Sequence, residues 1–143
     1  MIRDLHDNLS TALLVAPQTA TADITPLSVD LLGFRAAMVL LYIGIGGITF
    51  TGTNKIEFVL EHSNDNSTWN AVAQADVLGP TVAAGGIVRS LVAAKAAADI
   101  QELSYIGGRR YIRLTPDFSG THATGTPMTA FMVRGIPEQM PVA

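Results

Sequence analysis

Residues 55–72 restrict what this chain can fold into more than any other stretch. Ile56, Phe58 and Leu60 alternate with Lys55, Glu57 and Glu61. A period of two sends apolar side chains to one face of a strand and charged ones to the other. Ser63-Asn64-Asp65-Asn66-Ser67 follows. Asn and Asp tolerate left-handed backbone and hydrogen-bond their own main chain, so this cluster reads as a turn. Residues 68–72 then return, with Trp69 and Ala71 on one face. Strand, turn and returning strand make a β-hairpin, with Ile56, Phe58, Leu60 and Trp69 expected on its buried side. A lone hairpin is barely stable in water, so more strands must cover that side.

The remaining sequence supplies them. Leu27, Val29 and Leu31 alternate with Ser28, Asp30 and Leu32 and stop at Gly33. Residues 36–43 are apolar throughout and read as a buried strand. The wider apolar run, 36–50, covers 15 residues, short of the ~20 that span a bilayer as a helix, and Gly44, Gly46 and Gly47 weaken any helix there. Residues 100–106 lead through Gly107-Gly108 into a strand at 109–115, and residues 128–134 alternate again. Gly79-Pro80 and Gly85-Gly86 mark loops. Residues 91–99 are alanine-rich and predict a short helix, while 116–127 reads as a polar loop. About six or seven strands with at most one helix predict an all-β chain, an antiparallel β-sandwich of jelly-roll-like form. Within residues 1–26, interrupted by Pro17 and Pro26, residues 9–15 could form an edge strand, but the stretch as a whole reads as an extended N-terminal arm, either frayed or reaching a neighbouring subunit. Residues 27–143 read as one sandwich domain.

Composition bears on function. Apolar residues make up 48% of the 143 and charged residues 15%, against the ~25% charge usual for a soluble domain. The apolar excess points to contact with other subunits. Nine Lys and Arg residues against twelve Asp and Glu give a net charge of −3, with no electrostatic footprint for nucleic acid. The chain has no cysteine, which excludes disulfides, thiolate metal sites and cysteine nucleophiles and suits a reducing cytoplasm. The acidic Asp4 and Asp7 and the short apolar run 12–15 do not make a secretion signal. His6, His62 and His122 stand in unrelated contexts, and no nucleophile-elbow spacing occurs. Gly44-Ile45-Gly46-Gly47 lacks the Lys-Ser/Thr of a phosphate loop. No catalytic residue, cofactor site or metal site is expected, and the chain reads as a non-enzyme. The oxygen-rich stretch 61–67 lacks the glycine and distal glutamate of a calcium loop and reads as an Asx turn. Trp69 suits a sugar platform or a core anchor, and alternation with Phe58 favours the anchor. Arg109, Arg110 and Arg113 form the one basic cluster, facing either a neighbour's carboxylates or solvent with a local ion pair. The interface candidates are Leu9, Leu13, Leu14, Val15, Arg109 and Arg113.

Three segments carry a resemblance: KIEFVLEHSNDNSTWNAV at 55–72, IGGRRYIRL at 106–114 and VDLLGFRAAMVLLYIG at 29–44. The first two, in this order and in a chain this short, resemble the small head proteins encoded near the major capsid gene of tailed bacteriophages, the decoration or cement proteins, and the third fits the same pattern. The resemblance spans about three-quarters of the chain. It implies a virion protein, assembled in the host cytoplasm, that binds the outside of the capsid and stabilises it. Its implied partners are the major capsid protein and other copies of itself, as a trimer, with no nucleic acid and no membrane. Other head, neck or tail components share the pattern. The first segment also resembles discoidin-like carbohydrate-binding sandwiches, although Asn66 stands where those prefer glycine. No functional residue carries over, because decoration proteins act through whole surfaces.

Overall fold

The computed structural model describes residues 4–139. They form ten strands: β1 (Ser10–Ala20), β2 (Val29–Asp30), β3 (Phe34–Ile43), β4 (Lys55–Ser63), β5 (Asn70–Ala71), β6 (Val77–Leu78), β7 (Ile87–Leu91), β8 (Asp99–Tyr105), β9 (Tyr111–Ser119) and β10 (Thr126–Pro137). Every pairing between them is antiparallel. One sheet has the order β1-β10-β3-β8-β6. The other runs β2-β9-β4-β5, with β7 also paired to β4. Without the two-residue strands β5 and β6, both of which lie in the β4–β7 connection, β1-β10-β3-β8 faces β2-β9-β4-β7. That is the double Greek key of a jelly roll, as the strand pattern predicts.

The alternating residues meet between the sheets. Val39, Leu41 and Ile43 of β3, with Leu103 of β8 and Ala130 and Met132 of β10, pack toward Ile56, Phe58 and Leu60 of β4 and Ile112 and Leu114 of β9, all of them buried. Each large side chain removed from water there stabilises the fold by roughly 1.5–3 kcal/mol.

The expected arm is corrected by this structure. Residues 10–20 are the edge strand β1, paired with β10 from Ser10↔Arg134 to Ala20↔Thr126. Leu14 and Val15, proposed from sequence as interface residues, are 0% and 1% exposed and belong to the core. The register shifts between Leu13 and Val15 and again between Val15 and Gln18. Each shift adds a residue to β1, a β-bulge that breaks the alternation and lets consecutive side chains both turn inward. Such a strand leaves no period-two signal.

Three smaller expectations also change. Residues 92–98 form no helix but a link between β7 and β8; a helix this short lacks an apolar face to stabilise it, and Arg89 and Lys95 both reach Asp99 instead. Only Val29 and Asp30 of the stretch 27–31 pair in a ladder. Finally, β9 runs through Pro116 to Ser119 alongside β4. Proline is tolerated because β2 leaves β9 after Ile112, so the missing N–H faces an open side. On that same side the Phe118 N–H donates to Asp23.

The sheet margins are blunt. β1 is bulged twice and contains Pro17, β2, β5 and β6 have two residues each, and the five-residue β7 carries a register shift, devices that discourage pairing with another chain. If β1 is integral, Leu14→Ala should lower stability by about 2–5 kcal/mol, and deletion of residues 1–16 should abolish cooperative unfolding. Chemical denaturation of the two variants checks this, and midpoints equal to wild type would show β1 to be dispensable.

Candidate interaction surfaces

The two outer faces of the sandwich differ in chemistry. On the second sheet, Lys55, Glu57 and Glu61 of β4 lie beside Arg113, Thr115 and Asp117 of β9. Lys55 Nζ is 2.9 Å from Glu57 Oε1. Arg113 Nε donates to Glu61 Oε2 at 2.7 Å, and the Thr115 hydroxyl donates to the same oxygen at 3.2 Å. The Arg113 guanidinium sits 4.4 Å above the centre of the Trp69 ring. This face is charged, paired and solvated.

Trp69 is therefore not a core anchor beside Phe58. The hairpin turn sets the register Glu61↔Ala71 and His62↔Asn70, which carries Trp69 to the position opposite Ser63, on the side of Glu61. The turn itself is as expected. Asp65 Oδ1 accepts the N–H groups of Ser67 and Thr68 at 2.9 and 2.7 Å and the Ser63 hydroxyl at 2.8 Å, and Asn66 takes φ 56°. The two amides and the hydroxyl hold the Asp65 carboxyl well below the usual carboxylate range. Its oxygen is committed to the main chain, and no group of three or more His, Cys, Asp or Glu placed to hold a metal occurs among the described residues.

The outer face of the first sheet is apolar. Leu13 of β1 pairs with Phe131 of β10, Phe131 with Leu40 of β3, and Leu40 with Glu102 of β8. One row over, Val133, Met38, Ser104 and Leu78 follow one another across β10, β3, β8 and β6. Tyr42 and Ile100 pair in a third row. Glu102 is the one charged side chain in these rows. Ile100 is 61% exposed and Leu13 45%. From strand spacing and rise the patch covers on the order of 400 Å², the size at which contiguous apolar surface marks an interaction site.

Among the interface candidates, Leu13 lies on this face and Leu9 borders it. Leu9 is half-buried, within reach of Gly135 on β10. Arg113 is engaged by Glu61, and Arg109 donates to Asn70 Oδ1 at 2.6 Å. Arg110 grips Asp30 through Nε and Nη2 at 2.8 and 2.7 Å. The arginine cluster of the sequence thus separates into three local contacts.

A second surface feature is a groove of about 660 Å³ at one end of the sandwich, between residues 31–37 and 104–110. Its wall is fixed by Tyr105. The Tyr105 hydroxyl accepts the Arg109 N–H at 3.1 Å and lies within hydrogen-bond distance, 2.9 Å, of His62 Nδ1, so one side chain ties this turn to β4. A β-carbon on Gly107 would collide with the Tyr105 ring, so this turn depends on glycine. Sequence reasoning missed the groove because its walls come from segments about seventy residues apart. No helix among the described residues is long and apolar enough to cross a membrane. No protein-family profile, curated protein or solved structure matches the chain.

Burial pushes His62 below its ordinary pKa, the nearby Arg109 charge pushes it the same way, and Asp76 opposes both. The unfolded chain then binds the proton more readily than the folded one. This contribution to stability is whole above pH ~6.5 and declines as pH falls below it. Urea midpoints of the wild type should drop between pH 7 and pH 5, and His62→Gln should flatten that drop. Equal slopes for both proteins would show that His62 does not titrate on unfolding.

Proposed function

We propose that this chain is a structural subunit of a virion, a decoration (cement) protein that binds the outside of a tailed-phage capsid and stabilises the shell. The observation that carries the reading is the contrast between the two outer faces: one charged and internally paired, the other a five-strand apolar surface with a single carboxylate. An apolar face of this kind is costly in a free monomer and favourable where it is covered. The low charge content and the three segments that resemble phage head proteins support the same role. The jelly roll also occurs in viral capsid domains, though a fold alone does not imply a function.

In this role the partners are the major capsid protein and other copies of the chain, as a trimer. A ligand that binds only the assembled shell stabilises that shell by mass action, and many modest contacts made together hold it in place without one strong site. No chemistry is required of any residue.

The test uses capsid shells of the tailed phage that carries this chain, stripped of the decoration subunit. Wild-type protein should occupy them saturably. Leu13→Lys combined with Ile100→Lys changes two exposed side chains, so it should leave the melting temperature within a few degrees and reduce occupancy at least ~10-fold, as expected for charges placed in an apolar interface. Absence of wild-type binding would overturn the decoration reading, and full binding by the variant would remove the apolar face from it.

A further inference from the structure

The groove at the end of the sandwich has an unfilled place in its hydrogen-bond ladder. β3 pairs with β10 as far as Phe34↔Pro137, but with β8 only as far as Ala37↔Tyr105. After Tyr105 the chain turns away: the Ile106 N–H donates to Asp76 O at 2.8 Å, and Gly107 folds over the Tyr105 ring. Among the described residues, 34–36 have no ladder partner on that side. Main-chain groups of a central strand point alternately to its two flanks. The Gly44 N–H donates to Pro127 O on the β10 side, so even-numbered residues of β3 face β10. Arg35 therefore turns its N–H and C=O into the open lane.

The side chains around the lane are selective. Leu32, Leu78 and Ile106 line the groove and are 66%, 57% and 53% exposed. Arg35 and Arg109 also line it, and neither pairs with a carboxylate among the described residues. Arg110 is neutralised by Asp30, and Glu138 is the one acid in the lining. Two guanidinium groups whose charge meets no carboxylate among the described residues, on a chain of net charge −3, are a local reversal of sign.

We propose that this groove binds an extended acidic segment of another polypeptide, which adds as a short strand beside residues 34–36. Its main chain pairs with Arg35, its carboxylates meet Arg35 and Arg109, and its apolar side chains rest on Leu32, Leu78 and Ile106. A free anion would satisfy the arginines and leave both the open main-chain groups and the apolar rim uncovered. An extended peptide answers all three, with backbone bonds supplying affinity and side chains specificity. The wall is already ordered by the Tyr105 hydroxyl and Gly107, so little conformational freedom is lost on binding. The proposal does not depend on the virion reading, and its test needs only the purified chain.

The probe is the peptide acetyl-Val-Glu-Val-Asp-Val-amide, titrated into isotope-labelled protein and followed by amide chemical shifts. Saturable shifts are expected at Arg35, Ala36, Gly107 and Gly108. The Gln/Asn counterpart should bind at least ~10-fold more weakly, and so should the acidic peptide with every amide nitrogen methylated, which keeps the charge and loses the donors. Arg35→Gln with Arg109→Gln should weaken the acidic peptide to the level of the neutral one while the remaining spectrum stays native. The proposal is overturned by equal affinity for the acidic and neutral peptides, or by undiminished binding of the methylated peptide. Displacement of the acidic peptide by equimolar inorganic phosphate would also overturn it, marking a simple anion site.

Discussion

The jelly roll rests on a single layer of side chains that both sheets share. Val39 and Leu41 from one side and Phe58, Leu60 and Leu114 from the other fill the same space, and neither sheet can shield its inner face alone. Because strand side chains alternate, fixing the inner residues fixes the outer ones. A one-residue slip of β3 would carry Met38, Leu40 and Tyr42 inward and expose Val39 and Leu41. The core thus determines the composition of the outer surface. It also ties the ends of the described chain together, since Ser10 of β1 stands opposite Arg134 of β10.

What the sequence revealed follows from how regular each strand is. β4 alternates without interruption and was legible residue by residue, as were the ends of the hairpin turn, whose Asp65 and Asn66 do what their side chains suit them for. β3 was legible as a buried strand, but its apolar residues occur at both parities, so alternation could not show which of them faces outward. The partners Phe131 and Ile100, distant in sequence, settle that. β1 was legible only as a candidate edge strand at 9–15, and its place in the core was hidden because its two bulges turn Leu14 and Val15 inward together. Trp69 was misassigned because its face depends on the register of a turn whose composition does not encode it. The apolar excess indicated that a contact surface exists and gave no indication of where it lies. The arginines at 109, 110 and 113 are neighbours in sequence and meet different partners in space.

The apolar face and the end groove adjoin. Leu78 closes a row of the outer face opposite Ser104, and both residues also line the groove. β3 runs through both, with Met38, Leu40 and Tyr42 on the face and residues 34–36 in the open lane. An assembly that covers the face therefore lies directly beside the groove, and a segment leaving that assembly needs only a few residues to enter it. On the two proposals, a broad apolar contact and a narrow directional one would lie in sequence along one strand. The first gives area and the second gives orientation, a division common in interfaces with a buried centre and polar margins.

The blunt margins of the sheets govern how copies can accumulate. Propagating aggregation needs a ladder that each new chain extends and leaves open for the next. The bulges and Pro17 on β1, the two-residue strands β2, β5 and β6, and the register shift in the five-residue margin strand β7 interrupt any such ladder, and the open lane on β3 is three residues long. Association through a flat face or a short notch consumes the surface that drives it and leaves nothing to repeat. On the proposed reading, such edges favour finite complexes, in which the surface that drives association is used up, over fibres that need a ladder to extend.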